Sequence, residues 1–138
     1  MMLSASLDRD ATVHSHALNE FVVGHAQVPH ILHLELLIDR HPVATYRCDG
    51  IIISTPTGST AYSLSVGGPI VEPKQNAIII TPISPHTLTL RPVVISDDRV
   101  VEIRPKDRAT LAADGQMIQE LDAGDVVRVR RSAFTTAI

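Results

Sequence analysis

Short apolar runs separated by turn-forming residues fill the chain, and they predict strands rather than helices. The clearest alternation covers residues 31–38, where the apolar face consists of Leu32, Leu34, Leu36 and Ile38. A period of two is typical of a strand with one face buried and the other exposed. The same pattern, or an unbroken β-branched run, predicts further strands at residues 2–7, 12–23, 43–47, 51–53, 77–82, 93–96, 100–104, 110–113 and 126–131.

Turn signals close most of these runs and limit the fold class. Residues 8–10, 24–29 and 39–42 are rich in turn formers, and Asp114-Gly115 is a strong two-residue hairpin turn. Many short strands with one short helix are typical of an all-β sandwich or barrel. No repeat, low-complexity tract or linker interrupts the sequence, so residues 1–138 are predicted to form a single domain.

The stretch at residues 48–71 departs from this pattern. Its apolar strand is followed by a loop rich in hydroxyl side chains that also contains Pro and Gly. We expect Ser59 or Thr60 to cap a short helix over residues 61–64, and Gly67-Gly68 to end it. A polar loop at a helix N-terminus exposes backbone N–H groups, which suits an anionic or amide-bearing ligand. A simple strand-to-helix connection without a ligand is equally compatible with the residues.

Composition excludes several classes of function. Apolar residues make up 44% of the 138 positions, but no run approaches the roughly 20 residues that a membrane span needs, and no secretory signal is visible. Cys48 is the single cysteine, so we expect no internal disulfide and a reducing, cytoplasmic location. The net charge of −3, the scattered basic residues and the lack of Trp give no footprint for nucleic acid or an anionic membrane.

Polar side chains interrupt two of the apolar stretches. Leu18-Asn19-Glu20 places an amide and a carboxylate inside the run at residues 12–23. Buried polar groups need partners, so these two either meet each other and the backbone or meet a ligand. Arg47 and Asp49 flank Cys48, so their side chains lie on the same side of an extended chain. The simplest interpretation is a surface ion pair.

Common catalytic motifs are missing or incomplete. The loop at Gly58 has neither the lysine of a phosphate-binding P-loop nor the second glycine of a nucleophile elbow, and no dinucleotide fingerprint with alternating helices is present. Glu20 and Asp49 could form a glycosidase carboxylate pair, but nothing else supports that reaction. His14 and His16 could share a metal ion, yet no third ligand is near, so a solvent-facing pair is favoured.

Residues 48–71 closely resemble the signature of the ATP-dependent NAD kinases, whose C-terminal domain carries a DG-hydrophobic-STPTGSTAYSLS-GGPI run. The likeness extends from about residue 2 to residue 131. Four motifs occur in the family's order, which makes chance similarity implausible. They are Asn19-Glu20, the signature itself, the SPHTL run with Arg91-Pro92, and Asp114-Gly115-Gln116.

The resemblance implies a β-sandwich that binds NAD and supplies contacts for homodimers or homotetramers. In this family the whole kinase transfers the γ-phosphoryl group of ATP to the 2′-hydroxyl of the adenosine ribose of NAD, with a divalent cation such as Mg²⁺, giving NADP. Asn19 and Glu20 match residues that contact the ribose and adenine, and Asp49 matches the aspartate at the amide-bearing end. The further NAD-binding positions implied by the resemblance are His30, Arg47, Thr60, Ala61, Tyr62, Ser65 and Gln116.

Another family hallmark, a Gly-Gly-Asp-Gly-Thr run, is absent from these 138 residues. In the family it lies in an α/β N-terminal domain, where its aspartate is thought to act as general base and its glycines help to hold ATP. The resemblance therefore implies that this chain binds NAD without phosphorylating it efficiently, and it assigns no catalytic or metal-ligating residue here. Two alternatives remain open: a non-catalytic assembly module and a lipid kinase of related architecture.

Overall fold

The fold consists almost entirely of antiparallel strands. The computed structural model describes residues 1–25, 30–86 and 91–133, and within them twelve strands and two short helical elements are present. In chain order these are β1 (Leu3–Leu7), β2 (Asp10–Ala17), β3 (Glu20–Gly24), β4 (Leu32–Ile38), β5 (His41–Cys48), β6 (Gly50–Ser54), a 3-10 turn (Thr57–Thr60), α1 (Tyr62–Ser65), β7 (Ala77–Ile83), β8 (Val93–Ser96), β9 (Val101–Pro105), β10 (Ala109–Ala113), β11 (Gln116–Leu121) and β12 (Val127–Arg131).

The strands form two six-stranded sheets. The first sheet has the order β2-β1-β12-β9-β4-β5, and the second has the order β11-β10-β3-β6-β7-β8. Every neighbouring pair is antiparallel. The prediction of an all-β sandwich with one short helix is confirmed, and the barrel alternative is wrong because the described strands form two separate sheets.

Alternate residues of both sheets supply an aliphatic core. In most strands the inward positions are buried, as the period of two requires, and those of β8 are partly buried. Representative inward side chains are Leu34, Leu36, Val101 and Ile103 from the first sheet, and Phe21, Val23, Ile51, Ile53, Ile78 and Ile80 from the second. The outward-facing Ile52 and Ile79 of the second sheet are also 0% exposed, so β6 and β7 are covered on both faces at these positions.

Residues 55–71, called here the covering segment, lie over the outer face of the second sheet. The hydroxyl of Ser63 in α1 hydrogen-bonds the hydroxyl of Thr81 on β7 at 3.0 Å. A Cβ on Gly68 would come within 2.8 Å of the same Thr81 oxygen, so only glycine fits there. The short helix is therefore held by hydroxyl contacts to the sheet rather than by a broad apolar face.

The single strand predicted at residues 12–23 is wrong, because the chain crosses between the sheets within it. β2 ends at Ala17 in the first sheet, and β3 begins at Glu20 in the second. Residues 18–20, called here the crossing, need no glycine or proline, because the carboxylate of Asp114 accepts their backbone N–H groups. A turn stabilised by a residue so distant in sequence leaves no local signal.

Two strand details also differ from the sequence prediction. β11 was not predicted, because half of its side chains are exposed at the edge of the second sheet and its residues show no apolar alternation. In β4 the register shifts after Leu36, so that Leu37 is buried and Ile38 is only partly buried. The hairpin turns at residues 39–40 and at Asp114-Gly115 are present as turns between paired strands.

The predicted helix cap is wrong as well. No side chain caps α1, and Ala61 precedes it with an irregular conformation. The Ser59 and Thr60 hydroxyls instead donate hydrogen bonds to carbonyl oxygens three residues earlier, at 2.6 Å and 3.0 Å. Gly67 follows α1 at φ +89, as expected of a glycine that ends a helix. The predicted turn at residues 24–29 and the SPHTL run extend beyond the described residues.

Candidate functional site

A row of four residues that includes two glycines crosses the outer face of the second sheet beside the covering segment. Thr110, Gly24, Gly50 and Ile83 are register neighbours on β10, β3, β6 and β7. A Cβ added at Gly24 would meet only an ordinary contact, 3.6 Å from Val22 Cγ1. Because Gly24 has no side chain and the space above it would accommodate a Cβ, the sheet surface is recessed at this point.

The recess is a cavity of about 360 Å³. Two of the residues implied by the resemblance meet in it: Asp49 enters from the connection between β5 and β6, and Tyr62 enters from α1. The volume is near the lower end of the range for small-molecule sites, so it suits one end of a dinucleotide rather than the whole molecule. The lining residues are Val22, Gly24, His25, Asp49, Tyr62, Ile83, Thr110 and Ala112.

His25 is the basic side chain of this cavity. Its Nε2 atom lies 3.4 Å from Asp49 Oδ1, within ion-pair distance, but it makes no hydrogen bond among the described residues. Its ring stacks on His30 with centroids 5.9 Å apart, and its backbone carbonyl accepts a 2.8 Å hydrogen bond from the Thr110 hydroxyl. His25 therefore takes the place beside Asp49 that the sequence had suggested for Arg47, which forms no ion pair in the described part of the chain.

The crossing packs tightly against the start of the covering segment. The Thr55 backbone N–H donates a 2.9 Å hydrogen bond to the Asn19 carbonyl, and its hydroxyl donates to the Leu18 carbonyl, also at 2.9 Å. A Cβ on Gly58 would stand 2.6 Å from the Asn19 carbonyl carbon and 2.8 Å from its Cα. The predicted pair of Asn19 and Glu20 is thus fixed beside the loop that leads to Tyr62.

Glu20 carries a perturbed carboxyl group at this junction. Its residue is only 6% exposed. Burial raises the pKa of Glu20 above its ordinary value of 4.5, and the nearby charge and hydrogen bond of Asp114 raise it further. A hydrogen bond from the Tyr62 backbone N–H acts in the opposite direction. The carboxyl group therefore retains its proton to a higher pH than usual, and in that form it can donate a hydrogen bond as well as accept one.

The other covering-segment residues implied by the resemblance lie on its exposed side. Thr60 is exposed, and Ser65 is exposed with its hydroxyl donating to the Tyr62 carbonyl at 2.7 Å. Ala61 is half-buried between the 3-10 turn and α1. Both hydroxyls donate to carbonyl oxygens of the covering segment and neither hydrogen-bonds the crossing.

Two further predicted residues occupy different parts of the fold. Gln116 is exposed at the start of β11, directly after the turn that carries Asp114. Arg47 is exposed on β5, the edge strand of the first sheet, and does not line the cavity. The structure thus brings the crossing, the covering segment and the cavity together through Tyr62, with Gln116 near the crossing and Arg47 apart.

Three residues that contact this region were not singled out as site residues from the sequence: Thr55, His25 and Asp114. Asp114 belongs to the predicted hairpin turn and to the Asp114-Gly115-Gln116 motif, but its role at the crossing has no sequence signal, because its carboxylate contacts lie almost a hundred residues away. His25 falls in a predicted turn, where a polar residue needs no special explanation. Thr55 was one of many hydroxyls in the same loop. Their long-range contacts, which local sequence does not reveal, distinguish these three residues from other polar residues in loops.

Other parts of the described chain do not add to this site. A larger cavity of about 620 Å³ lies on the first sheet around Ser4, His16, Arg130 and Arg131, and contains none of the residues implied by the resemblance. No three or more His, Cys, Asp or Glu side chains converge within the described ranges, so these residues do not by themselves fit a divalent cation. In the same ranges, no helix has the length and apolarity needed to cross a membrane.

Comparison with known proteins identifies the family. A model described as the ATP-NAD kinase C-terminal domain matches residues 18–138. This chain belongs to that family. Among curated proteins, the NAD kinase of Geobacter metallireducens is 46% identical over 143 residues, covering 100% of this chain and 50% of the relative. The NAD kinase of Chloroherpeton thalassium is 45% identical over 121 residues, covering 86% of this chain and 43% of the relative.

Solved structures of the same family share the fold. The yeast NADH kinase complexed with NADH matches with a TM-score of 0.91 and 34% identity, covering 99% of this chain and 41% of that one. An NAD kinase from Archaeoglobus fulgidus in complex with ATP matches with a TM-score of 0.82 and 34% identity, covering 96% of this chain and 51% of that one. The chain spans about half the length of the curated relatives it matches. None of these matches favours the lipid-kinase alternative.

Proposed function

We propose that this chain is the NAD-binding part of an NAD kinase, folded as one domain over residues 1–138. The observation that carries the proposal is the position of Tyr62. Its backbone hydrogen-bonds the carboxyl group of Glu20, while the residue lines the cavity that also contains Asp49. Polar groups at the crossing are thereby placed next to a recess sized for one end of a dinucleotide.

The chemistry of these groups fits NAD in kind. Adenine and the nicotinamide carboxamide each offer hydrogen-bond donors and acceptors, and the riboses offer hydroxyls. Asn19 and Glu20 are proposed to contact the adenosine ribose and adenine, and Asp49 is proposed to contact the carboxamide end. The remaining proposed contacts are His30, Arg47, Thr60, Ala61, Tyr62, Ser65 and Gln116. The solved yeast relative in complex with NADH supports this class of ligand.

Isothermal titration calorimetry of the chain with NAD and NADP tests the proposal. We expect saturable binding, and we expect Asp49→Ala to weaken it about tenfold, as the loss of one or two hydrogen bonds to a ligand would. Asp98→Ala, in the exposed turn between β8 and β9, serves as the control and is expected to bind like the unmodified chain. No detectable heat at millimolar NAD, with protein that is folded by circular dichroism, would reject the proposal.

We further propose that the 138 residues do not catalyse phosphoryl transfer on their own. Transfer depends on positioning ATP and neutralising its phosphates, and the described residues form no cation site. ATP and the divalent cation are proposed to be held by the remainder of a whole kinase, of which this chain matches about half. Incubation with ATP, NAD and Mg²⁺ should yield no NADP. Sustained NADP formation by the purified chain would contradict this.

A second role, in assembly, is favoured by one observation. Tyr62, Leu64 and Ile70 are all exposed apolar side chains of the covering segment, at 43%, 42% and 66%. Exposed apolar clusters are typical of protein contacts, so we propose that the chain forms a homodimer or homotetramer in the cytoplasm. Light scattering combined with an NAD titration separates the two roles: oligomers without NAD affinity would favour assembly alone.

A further inference from the structure

The carboxylate of Asp114 accepts hydrogen bonds from the backbone N–H groups of all three residues of the crossing. Its Oδ2 atom accepts a hydrogen bond from the Leu18 N–H at 2.8 Å. Its Oδ1 atom accepts from the N–H groups of Asn19 and Glu20, at 2.8 Å and 3.1 Å. The Asp114 N–H in turn donates to the Glu20 carbonyl at 3.0 Å. Four hydrogen bonds from one residue therefore fix three consecutive residues, two of which belong to the proposed NAD site.

These N–H groups need a partner because the chain leaves one sheet and enters the other at this point. Between Ala17 and Glu20 the regular ladder is interrupted, and the N–H group of the buried Glu20 would be costly to leave unpaired. Asp114 is itself held in a tight turn, at φ +48 with Gly115 at φ +86, between the paired strands β10 and β11. The position of its carboxylate is therefore set by the second sheet rather than by a flexible loop.

We propose that Asp114 is a positioning residue of the NAD site: by fixing the crossing, it directs the Asn19 amide and the Glu20 carboxyl group at the ribose and adenine. The inference rests on the proposed function. Because three successive backbone N–H groups are hydrogen-bonded, the Cα positions and the side-chain directions of these residues are restricted. A ligand that hydrogen-bonds both side chains then meets them already oriented, and the entropy lost on binding is smaller.

Asp114 also acts on the Glu20 side chain through its charge. The pKa of Glu20 is raised first by burial and then by the charge and hydrogen bond of Asp114. A change at Asp114 should therefore alter the titration of Glu20 as well as the geometry of the crossing. This gives a readout that a purely structural contribution to stability would not move.

The fold contains a closely matched control. Asp39 also occupies a tight hairpin turn at positive φ, at +51. Its N–H donates to the Val100 carbonyl at 2.8 Å, and its Oδ1 atom accepts from the Val100 N–H at 2.9 Å. The same reciprocal pairing is thus present on the first sheet, away from the crossing and the cavity. Asp39→Ala removes this carboxylate-to-backbone bond and a 3.2 Å contact with the Arg99 guanidinium, without touching the proposed site.

The experiment compares Asp114→Ala, Asp114→Asn and Asp39→Ala by NAD calorimetry and thermal unfolding. We expect both alanine variants to lower the melting temperature by a few degrees, because each loses carboxylate hydrogen bonds to backbone N–H groups. Only Asp114→Ala should also weaken NAD binding, by about tenfold or more. Asp114→Asn keeps one carbonyl oxygen for two of the three N–H groups, so we expect it to recover part of the affinity.

Two further measurements keep the outcome decisive. Hydrogen exchange at the Leu18, Asn19 and Glu20 amides should accelerate in Asp114→Ala and not in Asp39→Ala, and the ¹³C-detected pKa of Glu20 should fall. NAD affinity equal to that of the unmodified chain in a folded Asp114→Ala, or an equal loss in Asp39→Ala, would overturn the inference. If the unmodified chain fails to bind NAD, the proposed function fails first. Unchanged amide exchange would then show independently that Asp114 does not hold the crossing.

Discussion

Gly58 shows how closely two backbones approach at the proposed site. A Cβ at this position would stand 2.6 Å from the Asn19 carbonyl carbon, and the neighbour is backbone that cannot rotate away. We expect Gly58→Ala to lower the free energy of unfolding by about 3 kcal/mol, as overpacking does. Gly24→Ala, where a Cβ meets only ordinary contacts, should change it by less than about 1 kcal/mol. Chemical denaturation measures the free energy of unfolding of both variants. Equal losses would argue against a tight contact at Gly58.

Glu20 makes stability depend on pH in a defined direction. Because folding raises the pKa of Glu20 above 4.5, the native protein binds this proton more tightly than the unfolded chain. The contribution to stability is therefore full below 4.5 and is lost as pH rises through the native pKa. The melting temperature of the unmodified chain should therefore fall as pH rises through the native pKa of Glu20. We expect this fall to be smaller in Glu20→Gln.

The matched control for this titration is Glu72→Gln, which removes one carboxylate from an exposed loop. Its melting temperature should follow that of the unmodified chain across the same pH series. If Glu20→Gln retains the full decline, then the buried carboxyl group is not its source. The measurement concerns stability alone and is independent of any ligand.

At the scale of single elements, two serines of the covering segment make the same local bond with different consequences. Each hydroxyl donates to the carbonyl three residues earlier, Ser59 to Pro56 at 2.6 Å and Ser65 to Tyr62 at 2.7 Å. The buried Ser59 oxygen additionally accepts the Val71 N–H at 3.0 Å and so joins the two ends of the segment. Ser65 is exposed.

We expect Ser59→Ala to cost about 2 kcal/mol of stability, because it strands the Val71 N–H in a part-buried position. Ser65→Ala should cost less than about 0.5 kcal/mol, since water replaces the lost contact. Amide exchange should accelerate at Val71 only in the first variant. Similar losses in both serine variants would mean that the link to Val71 does not hold the segment.

Sequence periodicity predicts those elements whose burial follows their own strand. β4, β7 and β8 were predicted within a residue or two, because one face, or both, is apolar and turn formers flank them. The crossing could not be predicted, because its signal is the Asp114 carboxylate, which comes from a distant hairpin. β11 could not be predicted for a different reason: its polar Gln116, Gln119 and Glu120 do not alternate regularly with its apolar residues.

The site divides in the same way. Asn19, Glu20 and the covering-segment residues could be nominated from sequence because the motif that carries them resembles a known family. The pairing of Asp49 with His25 could not, since it depends on the antiparallel register of β3 with β6, which places Gly24 opposite Gly50. A side-chain contact that depends on strand register can be recognised only once the positions of both strands are known.

Across the whole molecule, the two sheets have different surroundings. The second sheet is buried on both faces at Ile52 and Ile79, where the covering segment lies on its outside, and the apolar side chains that this segment exposes are the proposed assembly surface. We expect Leu64→Asp combined with Ile70→Asp to shift the chain to a monomer in sedimentation velocity. A charge on an exposed apolar contact should disfavour association.

Met117 provides the comparison for that prediction. It is 61% exposed on β11, at the far edge of the second sheet. Met117→Asp should leave the sedimentation coefficient unchanged. A monomer produced equally by either change would place the contact elsewhere, and an unmodified chain that is already monomeric would remove assembly from its proposed roles.

The pairing of β1 with β12 has a practical consequence. The Ser132 N–H donates a 2.8 Å hydrogen bond to the Met2 carbonyl, and Leu3 lies opposite Arg131 in the register. Residues near the two ends of the polypeptide are therefore neighbours in one sheet. A short linker could join them, and new termini opened in the exposed loop at residues 72–75 would separate the covering segment from β7 without removing a strand. The sandwich is thus a natural candidate for circular permutation, in which the strand order in space is kept while the order of synthesis changes.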